Sequence, residues 1–163
     1  MTINKVLWLE DHQNDFDAYK TKLFKANYAV DAVESAAEAV RKLRNDDYIA
    51  FIVDIKVPPG EDYEWIELDK KKQRENPGID SHLGLELLHA LFDPDYTNIK
   101  LDPPFKIDPQ KIIILTVVPD KEREISSLGI PSQQILYKSS SDTKTLLQMV
   151  KDIHNRNEER SDR

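Results

Sequence analysis

The sequence predicts an α/β fold in which a parallel sheet of five strands carries helices on both faces. Two observations predict it. Apolar runs of strand length alternate with segments of helical period, five of each, along the chain. Two of the runs, 48–53 (YIAFIV) and 111–117 (KIIILTV), are apolar almost throughout, as strands covered on both faces are.

Residues 5–9 (KVLWL) are the first strand, which stops at Glu10-Asp11 and buries Trp8 in the sheet core. Phe16, Tyr19, Leu23 and Ala26 then recur at helical spacing and mark the first helix. Residues 28–33 (YAVDAV) are the second strand. Ser35 and Glu38 form a capping box, opening a helix with Ala36, Val40 and Leu43 on one face. The third strand, 48–53, is stopped by Asp54. The pattern breaks over 55–83, which holds Pro58, Pro59, the Pro77-Gly78 pair and a dense charge cluster. Helical period returns at about 82–92, with Leu83, Leu87, Leu88 and Leu91 on one side, and Asp93-Pro94 ends it. Pro94, Pro103, Pro104 and Pro109 make 93–110 irregular. Residues 111–117 are the fourth strand. Asp120 is expected to cap a short helix that Gly129 stops. Residues 134–138 (QILYK) are the fifth strand, and 142–154 the last helix, with Leu146, Leu147, Val150 and Ile153 inward. Residues 155–163 contain no apolar side chain and are expected to be a mobile polar tail.

A length of 163 residues suggests one domain, expected over 1–154 with insertions at about 59–83 and 93–110. Cysteine is absent, which excludes disulfides, thiolate metal sites and cysteine nucleophiles. No apolar run approaches the ~18 residues of a membrane span, and the first is too short for a signal-peptide core. No membrane partner is therefore expected, and the cytoplasm is the expected location. The net charge of −7 disfavours nucleic-acid partners. Lys70, Lys71, Lys72 and Arg74 are the dense basic cluster, but Glu61, Asp62, Glu64, Glu67 and Asp69 precede it directly, so it reads as a solvated charged face. With four glycines in the chain, there is no glycine-rich phosphate loop.

In a doubly wound parallel sheet, ligands bind beyond the carboxyl ends of the strands. Strand one delivers Glu10 and Asp11 to that edge, strand three Asp54, strand four Thr116 and strand five Lys138. Close carboxylates repel unless a cation neutralises them, and Mg²⁺ needs few protein ligands because it keeps several waters. A carboxylate can attack phosphorus, while a cation and a lysine balance the charge of the transferred group. The residue set points to Mg²⁺-assisted phosphoryl transfer to an aspartate.

These residues resemble the receiver domain of two-component response regulators, in a chemotaxis-regulator-like form. The matching motifs are LEDH after strand one, IVDIKVP after strand three, GLELL opening the helix at 83, ILTV on strand four and LYKS on strand five. The resemblance covers about 4–154 apart from the two insertions, and the intervals Asp11–Asp54 and Thr116–Lys138 are close to the family's own. It implies a flavodoxin-like (βα)5 fold with strand order 2-1-3-4-5. It implies Asp54 as phosphoacceptor, forming an aspartyl phosphate. Mg²⁺ would be held by Glu10, Asp11, Asp54 and the backbone carbonyl of Lys56. Thr116 would be the switch hydroxyl and Lys138 the partner of Asp54 and then of the phosphate. Pro58 matches the proline of the loop after the phosphoacceptor, and Gly84 the glycine that begins the next helix.

The implied function is a stand-alone, cytoplasmic response regulator: a phosphoprotein of a phosphorelay rather than an enzyme. Its implied partners are a histidine kinase or phosphotransfer protein and a downstream output protein. The chain departs from the pattern at several positions. The stretch between Asp54 and Gly84 is far longer than the ~4–6 residues of an ordinary connection. Val117 stands where a small residue is usual, Ile135 where the switch aromatic is expected, and Ser139 where proline commonly follows the lysine. Val117 and Ile135 favour an alternative reading, a degenerate receiver that binds protein without phosphorylation. A haloacid-dehalogenase-type phosphatase would need an acid two residues after Asp54, where Lys56 stands. His12 is a candidate for the site rim, and Tyr63 and Trp65 either pack the long insertion down or face a partner.

Overall fold

The computed structural model describes residues 4–103, 105 and 107–161. Residues 1–3, residues 104 and 106 of the second insertion and residues 162 and 163 of the tail lie outside the described residues. The strands are β1 (Asn4–Leu9), β2 (Tyr28–Val33), β3 (Ala50–Val53), β4 (Ile112–Thr116) and β5 (Ile135–Tyr137). All pair in parallel in the order β2-β1-β3-β4-β5, the expected doubly wound topology. Six α-helices connect and flank them: α1 (Asp17–Lys25), α2 (Ala36–Asn45), α3 (Tyr63–Glu75), α4 (Leu83–Phe92), α5 (Glu122–Ser127) and α6 (Thr143–Ser161).

Successive strand residues point to opposite faces, so the apolar runs supply two cores at once. Leu7, Leu9, Phe51, Val53, Ile112 and Ile114 pack with Ala36, Ala39 and Val40 of α2, Leu83, Leu87 and Leu88 of α4, and Ile125 of α5. Val6, Trp8, Ile52, Ile113 and Leu115 pack with Leu23 of α1 and Leu146, Val150 and Ile153 of α6. Leu9 pairs with both Val33 and Val53, which aligns the carboxyl ends of three strands at one edge.

Ser35 caps α2 as expected, accepting from the Glu38 amide at 3.3 Å, while Glu38 reaches back to the Glu34 amide at 3.2 Å. The loop after β3 completes this helix end. The carbonyls of Pro58 and Pro59 accept from the Ala36 and Ala37 amides at 3.0 and 3.1 Å.

Four expectations are corrected. The long insertion contains α3, capped by Asp62, which accepts from the Glu64 and Trp65 amides at 3.0 and 3.4 Å. The helix holds because Trp65 and Leu68, one turn apart, reach the same core as Ile99 and Leu101 of the second insertion. Asp120 does not cap α5: it sits at φ 62°, outside the helix, and Lys121 takes the cap position without a side-chain bond. The last helix runs on to Ser161, through residues placed in the tail. There Asn157 donates to the Ile49 carbonyl at 3.4 Å, and Arg160 pairs with Asp108 at 2.8 Å. Tyr48 and Ile49 precede β3 rather than belonging to it; the Tyr48 hydroxyl instead donates to Asp31 at 2.7 Å. Among the described residues, no helix is long and apolar enough to cross a membrane.

Candidate functional site

At the carboxyl edge of the sheet, Glu10 and Asp11 follow β1 and Asp54 follows β3. One carboxylate oxygen from each of the three lies within 4.8 Å of the others. Glu10 is fully buried, Asp54 is 3% exposed and Asp11 is half-buried. Lys138, just past β5, reaches into this group: its Nζ is 2.6 Å from Asp54 Oδ2 and 2.6 Å from Glu10 Oε2. The ammonium also stands 5.2 Å from the centre of the Phe16 ring.

Lys138 thus pairs with two of the three carboxyl groups, Glu10 and Asp54. Burial pushes the Glu10 carboxyl up to about 7, with the Asp54 charge adding to it and Lys138 opposing it. Burial alone would lower the Lys138 ammonium, but its bonds to Asp54 and Glu10 prevail and hold it above its ordinary value. Asp54 Oδ1 is buried without a hydrogen-bond partner; Glu10 Oε2 lacks one too, but has the Lys138 ion pair. An orphaned anionic oxygen in a cluster of hard oxygen donors suits a divalent cation such as Mg²⁺.

Thr116 ends β4 and is fully buried. Its Oγ1 accepts from the Val118 amide at 3.1 Å, which steadies the turn and leaves the hydroxyl proton free to donate. The Lys138 amide donates to the Thr116 carbonyl at 3.0 Å, tying the two strand ends together. The Lys56 side chain points to solvent and pairs with Asp80 at 2.6 Å, bridging the two roots of the α3 insertion. Gly84 sits where α4 meets the end of β3. A Cβ there would overlap the Asp54 carbonyl oxygen, and its amide donates to the Ile55 carbonyl at 2.9 Å.

His12 lies at the rim, with Nε2 3.6 Å from Asp11 Oδ2 and its amide donating to Glu10 Oε1 at 3.0 Å. Val117 is 63% exposed, Ile135 is buried, and the Tyr137 hydroxyl bonds Glu122 of α5. Trp65 is buried and Tyr63 exposed, so the two aromatics of the insertion divide between packing and surface. Sequence reasoning missed Gln13, a buried amide beneath the β1 loop. Its single signal was its place three residues after Glu10.

The sequence matches no family model, and no curated protein matches it. Solved structures do. The chain is similar to the receiver domain of a putative LuxO repressor protein from Vibrio parahaemolyticus, at 16% identity and a TM-score of 0.63, over 98% of this chain and 96% of that one. It is similar to the receiver domain of the Francisella response regulator 1452, at 19% identity and a TM-score of 0.60, over 94% and 98%. A third match is the response regulator TrrA of Thermotoga maritima, solved in complex with Mg²⁺ and BeF, at 21% identity and a TM-score of 0.56, over 92% and 98%. Sheet order and these likenesses together give the chain the flavodoxin-like fold of CheY-like response-regulator receiver domains.

Proposed function

We propose that this protein is a response-regulator receiver that accepts a phosphoryl group on Asp54 in a magnesium-dependent phosphorelay. One observation carries the reading. A buried aspartate at a strand end has one oxygen on Lys138 and the other without a partner, beside two further acids.

Asp11, Asp54 and the Lys56 carbonyl would hold Mg²⁺, with Glu10 acting through water. The cation would supply positive charge to the phosphoryl oxygens. Asp54 attacks phosphorus and forms an O–P bond. The bond from phosphorus to the donor's nitrogen or oxygen breaks, and its electron pair leaves with the donor; nothing is oxidised. Lys138 balances charge on the acceptor, and the Thr116 hydroxyl donates to a phosphoryl oxygen. This is self-phosphotransfer rather than turnover of a substrate.

A histidine kinase or phosphotransfer protein is the proposed donor, and a downstream output protein the proposed reader, both in the cytoplasm. The buried Ile135 cannot make the rotation of an exposed aromatic. Output is therefore assigned to α4 and the insertion packed on it, where Lys72 of α3 pairs with Glu86 at 2.8 Å. Radiolabelled acetyl phosphate with Mg²⁺ tests the acceptor: the wild type should gain acid-stable, base-labile label, and Asp54→Asn none. Label retained by a folded Asp54→Asn protein excludes Asp54. A wild type that takes no label leaves the protein-binding module.

A further inference from the structure

We infer that Gln13 is a positioning residue for the cation site, setting the backbone from which Glu10 and Asp11 project. The inference rests on the metal reading above. Gln13 is 8% exposed, and its Nε2 faces three backbone carbonyls, Glu10 at 2.8 Å, Val33 at 3.1 Å and Trp8 at 3.3 Å. An amide nitrogen carries two protons, so the two shorter contacts take them. Those two acceptors are the carbonyl of Glu10 itself and the last carbonyl of β2. The Val33 carbonyl also accepts the Glu10 amide at 3.0 Å.

Both sides of Glu10 are thereby fixed to the end of β2, and the peptide that leads into Asp11 is held by the side chain of Gln13. The opposite amide orientation would set Oε1 against three carbonyl oxygens; in the orientation present Nε2 takes these carbonyls and Oε1 is buried without a partner. Gln13 is itself anchored, since Lys20 Nζ donates to its carbonyl at 3.0 Å. Groups that orient metal ligands from behind typically contribute about 10- to 100-fold in metal affinity.

The fold contains its own control. Gln134 is buried at the opposite edge of the sheet, where its Nε2 donates to the carbonyls of Ile112 and Gln110 at 2.7 and 3.0 Å. It does at the amino ends of β4 and β5 what Gln13 does at the carboxyl ends of β1 and β2, far from the acids. Calorimetric titration of Mg²⁺ into the full chain, with thermal melts in chelator, compares Gln13→Leu, Gln13→Ser and Gln134→Leu. Both kinds of variant should melt lower than wild type. Mg²⁺ affinity should fall about 10- to 100-fold in the Gln13 variants and stay at the wild-type value in Gln134→Leu. Wild-type affinity in a folded Gln13 variant overturns the inference, as does an equal loss in Gln134→Leu. Gln13 variants that fail to fold where Gln134→Leu folds assign the amide to fold maintenance and also overturn it. A wild type that binds no Mg²⁺ instead removes the metal reading on which it rests.

Discussion

Gly84 shows how closely the site depends on single atoms. The amino end of α4 meets the backbone of Asp54 with no room for a methyl group. Gly84→Ala must move either the helix or the acceptor, at about 1–3 kcal/mol for overpacking. Denaturant melts should show that loss, and Mg²⁺ titration a weaker site. A mutant with unchanged stability would mean that α4 is free to retreat. The residues gathered at the candidate site were legible as a group because each ends or follows an apolar run: Glu10, Asp11, Asp54, Thr116 and Lys138. Gln13 was not, because its role is a side-chain reach to carbonyls on two strands, which no local pattern encodes. The Asp120 cap failed for a similar reason: its residue type fits a cap, but its positive φ places it in the turn before one.

Among the elements, the β-strands were read to within two residues: β3 and β4 are buried at every position, β1 over its last four, and the edge strands β2 and β5 still begin on a buried residue. Helix α3 escaped notice because it shows only Trp65 and Leu68 to the core, amid a surface of acids followed by a run of bases. Asp62 before Trp65 was the available signal, a cap residue followed by an apolar anchor. The tail was misread in the opposite way. Its polarity suggested a free end, yet Arg156 bonds Gln134 at 2.8 Å and Asn157 bonds Ile49. Because Trp65 is 3% exposed, α3 is anchored by packing, and Trp65→Ala should cost about 3–5 kcal/mol. Hydrogen exchange should then quicken across 63–75 while the β3 amides stay protected. Unchanged exchange over 63–75 would show that Lys72–Glu86 and the other surface contacts hold the helix without it.

Across the whole molecule, α4 links the elements around the site. Gly84 touches Asp54, Glu86 takes Lys72 of α3 and Tyr96 of the second insertion, and His89 meets Glu124 of α5 at 2.8 Å. A change at the acceptor therefore borders both insertions and α5. The two apolar faces hold five strands so that their carboxyl ends form one acidic edge on a chain of net charge −7. This edge is proposed to take a phosphoryl group with the help of a divalent cation. Intact-mass analysis after incubation with acetyl phosphate tests it most directly, run with Mg²⁺ and again with chelator. The added mass of one phosphoryl group is expected with Mg²⁺, and the unmodified mass in chelator. An unmodified mass in both, from folded protein, would contradict it.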